Sequence, residues 1–103
     1  MTGIAVHEVR HRVQRHLSVE LITPAHIAKI ERYKQWGKLQ AEYIKGLGLS
    51  DLDAANEFDA SFVEAYGVSD MMTKQWKTAE QIKKVLLMTP EQLMEKELNR
   101  ATP

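Results

Sequence analysis

The sequence of 103 residues contains no cysteine and no long run of apolar residues. The first absence excludes disulfides, thiolate zinc sites and cysteine nucleophiles. The second excludes a membrane span, because even the apolar run at residues 85–88 is far shorter than a bilayer requires. The N-terminus also lacks the uninterrupted apolar core of a secretion signal. Together these absences predict a cytoplasmic protein that does not associate with a membrane.

Signatures of common catalytic sites are missing as well. No glycine-rich loop with a lysine marks a site for phosphate chemistry. No nucleophile elbow or similar local pattern singles out a Ser-His-Asp triad. Asp51, Asp53 and Asp59 do not match the spacing of a calcium-binding loop, which also needs a central glycine and a terminal glutamate. We therefore expect no catalytic residues and no cofactor.

The charged residues are distributed unevenly, although the net charge is zero. Residues 1–49 carry eight basic and four acidic side chains, and residues 50–72 carry six acids and no base. Residues 73–103 carry six bases and four acids. This segregation indicates either an acidic helix that lies against basic neighbours or an acidic face in solvent, and we favour the solvated face.

Helical periodicity dominates the chain, and no segment gives a convincing strand signal. One apolar stripe predicts a first helix over residues 4–18. Thr23 followed by Pro24 starts a second helix, which we expect to run to about Lys45. Ser50 caps a third helix. The stripes consist of Val6, Val9, Val13 and Leu17 in the first helix, and of Ala55, Phe58, Phe62, Ala65 and Tyr66 in the third.

The third helix is expected to end at Gly67, in a pattern like the one that ends the second helix at Gly48. A fourth helix should follow over about residues 69–87, unless a capping box at Thr78 breaks it near Lys77. A second Thr-Pro pair opens a last helix at Pro90, which should run to about residue 99. The sequence therefore predicts an all-α fold, a compact bundle of four to five short helices in one domain over residues 1–103.

Residues 7–11, His-Glu-Val-Arg-His, match H-E-x-x-H, the zinc signature of a large class of metalloproteases. Two histidines one helical turn apart can bind one Zn²⁺, and the glutamate between them can act as general base on the bound water. This resemblance raises the hypothesis of a zinc-dependent hydrolase that uses His7, Glu8 and His11.

The rest of the chain argues against such an enzyme. A catalytic zinc normally takes three protein ligands, and His16 would point about 140° away from His11 on an unbroken helix. No later glutamate carries a motif that marks it as the third ligand. If the Val6 stripe is buried, His7 and His11 face solvent. We therefore expect no metal site, with these two histidines as the residues to examine if a metal does bind.

The basic N-terminal half offers a surface for nucleic acid, which makes a small nucleic-acid-binding or regulatory protein the alternative hypothesis. A helix-turn-helix over residues 81–93 is a weaker alternative, since its second helix is acidic where it should meet phosphate. The residues that would contact nucleic acid are Arg10, Arg12, Arg15, Lys29 and Arg32.

The second helix carries two apolar stripes on different faces, which indicates burial on two sides. The second side is covered either within the bundle or by another chain, and the small size of the domain favours self-association. Large aromatic residues dominate such interfaces. We therefore expect a non-enzymatic protein-interaction or assembly module that forms a homo-oligomer through Tyr33, Trp36, Leu39 and Tyr43.

Overall fold

The computed structural model describes the backbone of residues 3–74 and 79–101, and the side chains of residues 5–67 and 83–97. The described residues form six helices and no strand, which confirms the all-α prediction. The helices are α1 (Gly3–Leu17), α2 (Pro24–Ile27), α3 (Glu31–Lys45), α4 (Asp51–Lys74), α5 (Ala79–Leu86) and α6 (Pro90–Ala101).

The capping residues predicted from the sequence start three of these helices. The Thr23 hydroxyl accepts a hydrogen bond from the His26 backbone N–H, and Pro24 is the first residue of α2. The Ser50 hydroxyl accepts from the Asp53 N–H at the start of α4. Thr89 and Gln92 exchange backbone and side-chain hydrogen bonds at the start of α6. These bonds satisfy N–H groups that have no partner inside the helix.

The predicted second helix is divided, because its first turn ends at Ile27 and α3 begins at Glu31. Ile30 has an extended backbone (φ −105°, ψ 106°), so the chain changes direction between the two helices. Ile27 and Ile30, on either side of this change of direction, are both buried. Burial of these two side chains outweighs the helical pattern that continues through residues 28–30.

The predicted stop at Gly67 is wrong, because α4 continues through it to Lys74. A Cβ at this position would lie 3.2 Å from Val85 Cγ1 and 3.7 Å from Val6 Cγ1. Gly67 thus gives α5 and α1 room to approach α4, rather than ending the helix. The possible capping box at Thr78 lies outside the described residues.

Helices α1 and α4 pack side by side, and α3 and α5 also pack against α4. Within the described part of the chain, no helix combines the length and apolar character needed to cross a membrane. Leu17 is exposed although it belongs to the predicted stripe of α1. The core consists of Val6, Ile22, Ile27, Ile30, Ile44, Phe58, Phe62, Val63, Tyr66, Val85, Leu86, Met88 and Leu93.

Gly37 allows α2 to approach α3 closely. A Cβ there would lie 2.7 Å from Ile27 Cγ2 and 3.3 Å from Ile27 Cβ, and Ile27 is fully buried. We predict that Gly37→Ala lowers the free energy of unfolding, because overpacking costs about 1–3 kcal/mol. That cost exceeds the gain of about 1 kcal/mol that alanine brings in a helix interior.

Gly46→Ala is the matched control for this measurement by urea denaturation. Gly46 has an ordinary right-handed backbone (φ −69°), and a Cβ there would meet its nearest atom, the Tyr43 carbonyl oxygen, at 3.4 Å. This substitution should leave stability unchanged or raise it by up to about 1 kcal/mol. Equal effects of the two substitutions would contradict the close packing of Ile27 on Gly37.

Candidate functional site

The two histidines of the H-E-x-x-H segment lie between α1 and α4, not in solvent. The side chains of His7 and His11 are 17% and 25% exposed. The expectation that they face solvent is wrong because Arg10 is fully buried and belongs to the packed face of α1. Arg10 lies about 60° around the helix from His7, so the packed face is centred closer to the histidines than the valine stripe suggests.

Both histidines meet the same carboxylate on α4. His7 Nε2 is 2.9 Å from Glu57 Oε1, and His11 Nε2 is 3.2 Å from Glu57 Oε2. The imidazole rings stand edge to face, with centroids 4.8 Å apart. His7, His11 and Glu57 each offer one ligand atom, and these three atoms all lie within 4.8 Å of one another.

The other ring nitrogen of each histidine also has a partner. His7 Nδ1 is 2.9 Å from Glu64 Oε1, and His11 Nδ1 is 2.9 Å from Gln14 Oε1. The orientation of the Gln14 amide is fixed, because its Nε2 donates to the Asn56 carbonyl at 2.8 Å and to Asp59 Oδ2 at 2.7 Å. Its oxygen therefore faces His11 and can only accept there.

Sequence reasoning missed Glu57 and Glu64. Glu57 and Glu64 lie seven residues apart, so they share one face of α4, but this spacing does not reveal which helix they face. Glu8 and His16 are exposed. The four residues that the structure brings together are thus two histidines of α1 and two glutamates of α4.

Arg10, a predicted nucleic-acid contact, is buried and is not available to phosphate. Its Nε donates to Asp59 Oδ2 at 2.7 Å, and its Nη2 donates to Asp59 Oδ1 at 3.0 Å. Its Nη1 donates to the Leu86 carbonyl at 2.9 Å. Neither Arg10 nor Asp59 has any exposed surface. The prediction that Arg10 contacts nucleic acid is therefore wrong, and the role of Arg10 is structural.

The four remaining basic candidates are exposed, unlike Arg10. Arg12, Arg15 and Lys29 are exposed. The Arg32 guanidinium donates to Glu97 Oε1 at 3.3 Å and lies 4.8 Å from the centre of the Tyr33 ring. Arg32 is therefore already engaged within the chain.

A groove of about 490 Å³ separates α5 from α6, the two helices of the possible helix-turn-helix. Glu91 and Glu95 are exposed on α6 next to it. These carboxylates oppose the approach of a nucleic-acid backbone, although part of the groove is basic. Its lining consists of Lys83, Lys84, Val85, Leu87, Met88, Gln92 and Lys96.

The structure divides the four predicted interface residues into two pairs. Tyr33 and Trp36 pack on the core. The centroid of the Tyr33 ring lies 5.2 Å from that of Phe62. The centroid of the Trp36 ring lies 5.9 Å from those of both Phe58 and Phe62. Leu39 and Tyr43, by contrast, are 57% and 64% exposed. One apolar side of α3 is therefore covered within the chain, and its C-terminal half keeps an uncovered apolar stripe.

Most of the large apolar side chains that are exposed lie around the α3–α4 turn. Among the side chains that the structure describes, six large hydrophobic residues are exposed, and five of them fall within residues 39–52. Clustered apolar exposure of this kind marks interaction surfaces, whereas scattered residues are ordinary. The α3–α4 apolar surface consists of Leu39, Tyr43, Leu47, Leu49 and Leu52.

We predict that Asp59→Ala lowers the free energy of unfolding by about 3–5 kcal/mol, because it leaves the Arg10 charge buried without a partner. Glu97→Gln is the matched control, since it removes the partner of the partly exposed Arg32 and should cost at most about 1 kcal/mol. Urea denaturation of both variants measures the difference. Similar losses would show that the Arg10–Asp59 pair is no more important than a surface pair.

The double variant Arg10→Met, Asp59→Leu keeps this test decisive if Asp59→Ala does not fold. Removal of both charges should recover part of the lost stability. The recovery should be incomplete, because the Ile22 N–H and the Gln14 amide lose the acceptor that Asp59 provides.

No protein-family model matches the chain, and no similar protein was found among curated proteins or solved structures.

Proposed function

We propose that the chain is a non-enzymatic assembly module of the cytoplasm that pairs with a second copy of itself through the α3–α4 apolar surface. The observation that carries this proposal is the concentration of exposed large apolar side chains within residues 39–52. Leu39 and Tyr43 lie one helical turn apart on α3. Leu47 follows one turn later, and Leu49 and Leu52 complete the surface where α4 begins.

The charges beside this surface suit contact between two identical chains. Lys45 lies in the last turn of α3, and Asp51 and Asp53 lie in the first turn of α4, all of them exposed. In a two-fold dimer the same surface meets itself, so Lys45 of each chain can face Asp51 and Asp53 of the other. Since the chain has no net charge, two copies experience little overall repulsion.

The exposed half of α3 is held in place by its buried half. Trp36 packs against Phe58 and Phe62 of α4, and Gly37 packs against Ile27 of α2. The helix that presents Leu39 and Tyr43 is therefore fixed before any partner binds. A preformed surface loses less conformational entropy on association than a flexible one.

We predict that the wild-type chain forms a dimer and that Tyr43→Glu weakens dimerisation at least tenfold. The new carboxylate would have to be buried in an apolar contact without a partner, which opposes association. Sedimentation equilibrium over a range of protein concentrations measures the dissociation constant. Circular dichroism should show an unchanged helical content, because Tyr43 is largely exposed in the single chain.

Leu17→Glu provides the matched control. Leu17 is 60% exposed, much like Tyr43, but it lies at the end of α1 and outside the α3–α4 apolar surface. This variant should dimerise like the wild type. A wild-type chain that stays monomeric at all concentrations, or equal weakening by both variants, would refute the proposed interface.

Exchange of charge tests the two-fold arrangement separately. Lys45→Glu should weaken the dimer, because it places glutamate opposite Asp51 and Asp53. A mixture of Lys45→Glu chains with chains that carry Asp51→Lys and Asp53→Lys should form heterodimers more readily than either variant forms homodimers. No preference for the heterodimer would contradict the two-fold pairing of these charges.

A further inference from the structure

We propose that His7, His11 and Glu57 bind one divalent transition-metal ion, with Zn²⁺ as the best match, and that this ion joins α1 to α4. The three residues offer two imidazole nitrogens and a carboxylate oxygen within 4.8 Å of one another. This site goes beyond the assembly function and does not depend on it.

The hydrogen bonds around the histidines direct the correct nitrogens towards the metal. Glu64 Oε1 and Gln14 Oε1 each lie 2.9 Å from an Nδ1 atom, and both oxygens act as acceptors. They therefore favour the tautomers with the proton on Nδ1 and the lone pair on Nε2. Metal-binding histidines typically donate their second N–H to such oxygens, which fixes the ring and makes the ligating nitrogen more basic.

The two carboxylates that contact His7 also favour a cation at this site. Carboxylate oxygens lie 2.9 Å from both of its ring nitrogens, Glu57 Oε1 at Nε2 and Glu64 Oε1 at Nδ1. A neutral imidazole has a single N–H and can donate to only one of these oxygens. Either a second proton or a metal ion must therefore satisfy the contact with Glu57, and the same carboxylate also lies 3.2 Å from His11 Nε2.

The three ligand atoms must move closer together to bind one ion. His7 Nε2 lies 2.9 Å from Glu57 Oε1 and His11 Nε2 lies 3.2 Å from Glu57 Oε2, so each imidazole meets a different oxygen of the carboxylate. With one ligand atom per residue the atoms lie within 4.8 Å of one another. In a tetrahedral site with bonds of about 2.0–2.1 Å, neighbouring ligand atoms are roughly 3.3 Å apart, so side-chain rotations must close the widest gap by up to about 1.5 Å. When the ion binds, each Nε2 donates its lone pair to the metal, and any proton on Nε2 passes to solvent.

The donor set indicates the class of metal. Imidazole nitrogen suits zinc, copper, nickel and other transition metals, whereas Mg²⁺ and Ca²⁺ prefer sites made only of oxygen. Two nitrogens and one carboxylate oxygen leave a fourth position that water can fill. Glu57 and Glu64 together carry two negative charges, which one divalent ion neutralises.

Titration of the wild-type chain with Zn²⁺ by isothermal calorimetry, after chelator treatment and dialysis, is the first test. We expect one ion per chain. His11→Gln and Glu57→Gln should each reduce affinity more than about 100-fold, which exceeds the effect of losing an outer hydrogen-bond partner. Glu64→Gln should reduce it about 10–100-fold.

His16→Gln is the matched control, because His16 also lies on α1 but is exposed. It should bind Zn²⁺ like the wild type. Equal binding by His16→Gln, His11→Gln and the wild type would show adventitious binding only and would overturn the proposal. Failure of the wild-type chain to bind Zn²⁺ would overturn it too.

Substitution with Co²⁺ gives a second, spectroscopic readout that reports the coordination of the ion. Visible absorption should be intense for a four-coordinate ion and absent in His11→Gln. The wild-type chain should also unfold at a higher urea concentration with Zn²⁺ than without it, since the ion binds the folded state. An unchanged midpoint of urea unfolding at saturating Zn²⁺ would contradict the proposal that the ion joins α1 to α4.

Discussion

The buried ion pair of Arg10 and Asp59 determines how the helices are arranged. Its two hydrogen bonds join α1 to α4, and Arg10 also donates to the carbonyl of Leu86 at the end of α5. Asp59 accepts from the Ile22 N–H at 2.7 Å, which ties down the segment before α2. A buried charge is tolerated only when such partners replace water, and here the partners lie on α1, on α4, at the end of α5 and in the segment before α2.

The same pair sets the register of the histidine cluster. His7 and His11 stand three residues before and one residue after Arg10 on α1, and Glu57 stands two residues before Asp59 on α4. Because two parallel hydrogen bonds resist both sliding and rotation, they hold α1 and α4 so that both imidazoles reach the carboxylate of Glu57. The acidic stretch of residues 50–72 is thus partly the partner of a basic helix, although Asp51 and Asp53 remain in solvent.

Local rules predicted the fold class and the capping residues at Thr23, Ser50 and Thr89, because caps depend on neighbours in sequence. They failed where distant contacts decide the outcome. Because arginine is rarely buried, the apolar pattern of α1 does not predict that Arg10 is buried. It therefore also does not predict that the packed face of α1 lies close to the histidines. The histidines of the candidate site were visible as a motif, but Glu57 became a third ligand only through the packing of α4 on α1.

The exposure of the apolar stripe on α3 is related to the short length of α2, which packs against that helix. Only four residues form α2, and its Ile27 packs on α3 at Gly37, near the middle of that helix. Beyond this contact α3 continues for two more turns, which carry Leu39 and Tyr43, before the chain turns into α4. Helix α2 ends after one turn, and the chain changes direction at Ile30 with Ile27 and Ile30 both buried. Exposure of the stripe is therefore linked to the packing of the core, and a second chain can supply the cover that α2 does not.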